Sequence, residues 1–155
     1  MNTDHITNIL NDFLEQFGLT AQVDTDFCYY WQYDVVGYGL VVTEKFDRLW
    51  TYYLHNHYPE VTAPLFIWSI LHEVGHSQTD DMISPEGHMK IDIYKERLNP
   101  KRESHIYKYF HCADEVLATD WAYKYIISHP EEVKALWDRL QPAILEFYER
   151  ENITE

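Results

Sequence analysis

Five consecutive residues, His72-Glu73-Val74-Gly75-His76, constrain this chain more than any other stretch. On an α-helix, at about 100° per residue, the two histidines lie about 40° apart around the axis and about 6 Å apart along it. Both imidazoles then reach one point in space. Glu73 falls about 60° round from His76, within reach of the same point. With nine histidines in 155 residues the spacing alone is only suggestive, so the flanking sequence has to carry weight.

It does so in two ways. Ile67, Ile70, Leu71 and Val74 gather on the arc opposite the histidines, which predicts a core on one face and something else on the other. Thr62 is the expected N-cap, with Pro64 in the first turn, of a helix running through Ser77. Gly75 costs about 1 kcal/mol inside a helix, and a helix accepts that where a neighbour must come close.

A partner for the histidines comes from further along. Ser104 to about Ser128 reads as one long helix, with Ile106, Phe110, Ala113, Leu117 and Trp121 on an apolar arc and Glu115 opposite it. Ala118, Thr119 and Ala122 surround Glu115, and small residues there would let this helix approach the one bearing Gly75. His111 precedes Glu115 by four and shares its face on this reading. Three roles stay open for His111: a third metal ligand, a hydrogen-bond donor to a transition-state oxyanion, or an ordinary surface histidine.

The remaining pattern is that of an α+β chain read as a single domain over 1–155. An amphipathic helix from Thr3 to Phe17 stops at Gly18. Two or three strands fit the aromatic and β-branched stretch from Ala21 to Thr43; a helix fits Phe46 to Leu54, with a strand over Leu49 to Tyr58 as the alternative. Residues 80–103 read as a loop with a short alternating piece, His88 to Tyr94, and the basic run that follows reads as solvated. Pro130 opens a final helix that Pro142 is expected to kink or split.

The motif and its downstream glutamate resemble the zincin metallopeptidases of gluzincin type. "HEVGH" is similar to their common His-Glu-x-Gly-His form, and "EVLATDWA", Glu115 to Ala122, is similar to a segment of small ImmA/IrrE-like metallopeptidases. The resemblance spans roughly Pro64 to Ala122. It implies a zincin-like domain, with a small N-terminal sheet packed on an active-site helix and a mostly helical second half. It implies zinc (Zn2+) held by His72, His76 and Glu115, Glu73 as general base and, as one of its open roles, His111 in catalysis. The zinc would polarise a scissile carbonyl and acidify its water, and the substrate would be a peptide or protein. Two positions depart: Thr119 stands where many gluzincins carry an aspartate that orients a histidine, and Gln78 stands where an apolar residue is usual.

Charge supplies the alternative. A formal net charge of −14 argues against nucleic-acid binding, which needs Lys and Arg to neutralise phosphates, and fits a non-catalytic acidic interaction protein or DNA mimic with a relict metal site. Cys28 and Cys112 lie far apart, in neither a disulfide framework nor a zinc-knuckle spacing. No stretch approaches the length of a membrane span or shows a secretory pattern, so the expectation is a cytoplasmic protein without a membrane partner.

Overall fold

The computed structural model describes residues 3–24, 29–40 and 43–153, and Cys28 lies outside them. The chain is α+β: a three-stranded sheet and seven α-helices among the described residues. Its contacts group into two compact units, Met1–Gly39 with Ser128–Glu155, and Leu40–Ile127.

The first unit holds the sheet. Helix α1 (Asp4–Leu14) buries Ile6, Ile9, Leu10 and Leu14, and one 3-10 turn later Gly18 stops it with a left-handed φ of +70°. Strands β1 (Thr20–Val23), β2 (Tyr30–Gln32) and β3 (Val35–Tyr38) follow, in the order β1-β3-β2. Strand β1 pairs parallel to β3, with Ala21 opposite Val36, and β2 pairs antiparallel to β3, with Trp31 opposite Val36. Helix α1 packs on β1 and on the last helix, α7 (Pro130–Ile153). Helix α7 is continuous through Pro142, so the proline does not split it. Its Leu136, Leu140, Ala143 and Phe147 are buried.

The second unit is helical and contains the histidine motif. Helix α2 (Glu44–His57) turns Trp50 and Tyr53 inward, and their rings stack at 5.6 Å. Helix α3 (Leu65–Thr79) carries the motif. It starts later than the sequence suggests: Pro64, with extended backbone at ψ 149°, is the N-cap in place of Thr62. A proline holds the residue before it out of the helical region, so Ala63 and Thr62 stay outside.

Two further expectations are corrected. Residues 85–96 form helix α4 (Pro85–Glu96), where a loop and short strand were expected. The signal was local: the Ser84 hydroxyl accepts a hydrogen bond from the Gly87 N–H at 3.0 Å, and Pro85 takes the first helical position. No residue of α4 is buried, so no apolar stripe marks it as a helix, and alternating Met89, Ile91 and Ile93 imitate a strand.

The long helix expected over 104–128 is two, α5 (Glu103–Phe110) and α6 (Ala113–Ser128), broken at His111 and Cys112. The break resets the helical phase. Glu115, Ala118, Thr119, Ala122, Tyr125 and Ile126 are the buried face of α6, while Leu117 and Trp121 of the expected apolar arc are only half-buried.

Candidate metal centre

Helices α3 and α6 meet backbone to backbone. A Cβ added at Gly75 would sit 2.3 Å from the Ala118 carbonyl oxygen and 2.9 Å from the Ala118 Cα. Ala118 itself is fully buried. Glycine on one helix and alanine on the other therefore set the separation, and this contact delivers Glu115, in the first turn of α6, to the histidine stripe of α3. The stripe is not left open: residues 67, 68 and 70 to 75 are all buried, so α3 is enclosed on its polar face as well as its apolar one. Polar groups sealed in this way must satisfy one another.

They converge on one atom. Oε2 of Glu115 lies 2.8 Å from His76 Nε2 and 3.2 Å from His72 Nε2. For a tetrahedral site with bonds near 2.0–2.1 Å the ligand-to-ligand edge is about 3.3 Å, so these separations are close to those of a ligand shell. Glu73 approaches from the side, with Oε2 3.9 Å from His72 Nε2. Donor atoms of His72, Glu73 and His76 lie within 4.8 Å of one another, as do those of His76, Asp114 and Glu115.

Thr119 decides which nitrogen of His72 faces the cluster. Its hydroxyl donates to the Glu115 carbonyl oxygen at 2.9 Å, so its oxygen accepts from His72 Nδ1–H at 3.0 Å. The hydroxyl thus fixes the orientation of the His72 ring. Neutral His72 then carries its lone pair on Nε2, aimed at a carboxylate oxygen 3.2 Å away. Two acceptors at that distance repel unless a proton or a cation lies between them. Trp50 holds the ring from another side, edge to face at 5.4 Å.

The electrostatics agree. Burial works to raise the Glu115 carboxyl, but His72 and His76 outweigh it and hold the group well below the usual carboxylate range. Burial works to lower His76, but Glu115, Glu73 and Asp114 outweigh it and raise the imidazole. Burial raises the Glu73 carboxyl, which the two histidines only partly offset. Around the cluster, three carboxylates (Glu73, Asp114, Glu115) stand against one ammonium, Lys95, and the shifts of Glu73 and His76 both favour holding a proton there. A divalent cation would take the place of those protons, and nitrogen and carboxylate donors suit zinc.

Three contributors went unrecognised in the sequence. Lys95 of α4 reaches Asp114 Oδ2 at 2.7 Å and Glu115 Oε1 at 3.7 Å, occupying the carboxylate oxygen turned away from the imidazoles. Tyr109 lies under that ammonium, 4.7 Å from Nζ to the ring centroid. Burial, then the charge of Glu115 and the hydrogen bond to it, raise the Tyr109 phenol, so it stays protonated and donates to Glu115. Asp114 anchors Lys95 and accepts the Glu115 N–H at 2.9 Å. Only Asp114, adjacent to Glu115, had a signal in the sequence; Lys95 was hidden in a supposed loop and Tyr109 by the helix break.

His111 sits apart from this cluster. It follows α5, is exposed, and donates from Nδ1 to the Tyr107 carbonyl at 2.8 Å. Its ring packs against Tyr53 and His57 at 5.2 and 5.7 Å. The face it was expected to share with Glu115 does not exist, because the helix breaks between them. Gln78 is exposed.

No protein-family model, no curated protein and no solved structure matches the chain.

Proposed function

We propose that the chain is a cytoplasmic zinc-dependent peptidase of zincin type, with His72, His76 and Glu115 as metal ligands and Glu73 as general base. The observation that carries this reading is the single Glu115 oxygen facing two imidazole nitrogens, one of which Thr119 fixes as a lone-pair donor. Bound there, zinc would polarise the scissile carbonyl and acidify the attacking water toward a pKa of about 7.

The chain's own residues do the rest. Glu73, buried beside the two histidines and raised in pKa, takes the proton of the attacking water on a carboxylate oxygen and passes it to the leaving amine. Lys95 and Tyr109 hold Glu115 from its other side, leaving Oε2 toward the imidazoles. The order of small sheet, motif-bearing α3 and glutamate-bearing α6 supports the zincin-like reading of the fold. No described helix is long and apolar enough to cross a membrane.

The test is Glu73→Gln. It is expected to keep zinc and to abolish hydrolysis of a mixed peptide library, a loss of about 100-fold or more. Zinc retained in both proteins, with no hydrolysis by either, would favour the acidic interaction protein with a relict site.

A further inference from the structure

Helix α4 is the one helix of the second unit without a buried residue, yet it carries Met89, Ile91, Ile93 and Tyr94. Met89, Ile93 and Tyr94 are 63%, 46% and 46% exposed. Between α4, α5 and the turn leading into α6 runs a groove of about 670 Å³. Ile91 and Tyr94 line it from α4, Tyr107 from α5, and residues 111–113 from the turn leading into α6. The next two residues in the chain are Asp114 and Glu115, and Lys95, which follows Tyr94 on α4, pairs with both carboxylates, so groove and cluster share the α4 and α6 segments that carry them.

Its charge is opposite to that of the rest of the molecule. Six of the chain's twelve Lys and Arg residues fall within residues 90–108, against three acidic residues there, in a chain whose net charge is −14. Two of the six, Lys90 and Lys108, line the groove. Lys108 makes no ion pair among the described residues, and Lys90 has only an exposed contact with Glu86 at 3.5 Å. An apolar trough with ammonium groups on both sides suits an extended peptide that places an apolar side chain in the trough and Asp or Glu side chains on its rims. A nucleic acid fits less well, because the remainder of the surface repels a long polyanion.

We infer that this groove receives the substrate of the metal centre, and that the substrate is a protein segment in which apolar and acidic residues adjoin. The inference rests on the peptidase reading for the word substrate, but the binding it describes is measurable without turnover. Lys90 and Lys108 set specificity through the rims, and Ile91, Tyr94 and Tyr107 supply the floor.

The experiment uses two fluorescein-labelled peptides with the same apolar frame, one carrying glutamates and the other lysines. Anisotropy is read with the zinc-loaded full chain carrying Glu73→Gln, so that neither probe is consumed. The glutamate peptide is expected to bind about tenfold tighter, the effect of two surface ion pairs, and the advantage should shrink with salt. Adding Lys90→Glu and Lys108→Glu is expected to reverse the order. In the background with Glu73 intact, the same pair should raise KM for the glutamate peptide more than for the lysine peptide. Tighter binding of the lysine peptide, or an order untouched by the two changes, would overturn the inference, as would a duplex DNA oligonucleotide that outcompetes the glutamate peptide. Missing hydrolysis with the glutamate preference intact would overturn the peptidase reading alone.

Discussion

Helices α3 and α4 have similar lengths and belong to the same compact unit, yet α3 is buried from residue 67 to 75 except at Ser69 and α4 has no buried residue. The difference lies in what each helix asks of its polar groups. On α3, His72 and Glu73 are sealed beside apolar residues; His72 takes its partners, Thr119 and Glu115, from α6, and Glu73 faces His72 of its own helix. On α4 the polar groups are solvated, and Lys95, reaching inward to Asp114 and Glu115, is what joins it to the centre. Enclosure forces the polar groups of one helix together; exposure leaves those of the other free to meet solvent.

The sharpest way to break this contrast is to part α3 from α6. Gly75→Val puts atoms where the Ala118 backbone already lies, and should cost about 3 kcal/mol or more in urea unfolding and prevent zinc binding. Retention of stability would mean that the helices do not touch there. Thr119→Val is gentler: it keeps the volume, leaves the buried His72 Nδ1–H without an acceptor, and should weaken zinc about 10- to 100-fold in competition with a chromophoric chelator, with stability lower by about 1–3 kcal/mol. Unchanged affinity would remove Thr119 from the orienting role.

The same scale runs lower on α4. Lys95→Met removes the ammonium shared by Asp114 and the buried Glu115 while keeping a side chain of similar length, and should cost about 1–2 kcal/mol, because Lys95 and Asp114 keep some solvent. Ile93→Gln, on the open side of α4, should stay within about 0.5 kcal/mol of the parent. A loss there comparable to that at Gly75 would show that α4 is covered by something.

What could be read from the sequence divides along the same line. The convergence of His72 and His76 on α3 was legible because a five-residue spacing has one geometric meaning on a helix, and Gly75 was legible because glycine inside a helix asks for a close neighbour. Glu115 and the small face around it were legible for the same reason, although the phase of that helix was not: a hydrophobic pattern continues across the His111–Cys112 break while the backbone does not. That misplaced His111 onto the face of Glu115. Helix α4 escaped because an exposed helix leaves no apolar period, and its N-terminal Ser84-Pro85 was a weaker signal than the strand-like alternation that followed. Lys95 and Tyr109 act through contacts remote in sequence, for which no local spacing exists. The sheet was legible as β texture, but its order β1-β3-β2 was not, since nothing local says which strand lies in the middle.

The central claim is that one carboxylate oxygen and two imidazole nitrogens make a single metal centre. Elemental mass spectrometry of the untagged protein after zinc loading and desalting tests it directly, alongside His72→Ala and Glu115→Ala. The expected result is about one zinc per chain, lost or greatly weakened in each variant. A parent chain that holds no metal after reconstitution, or variants that hold it as well as the parent, would contradict the claim.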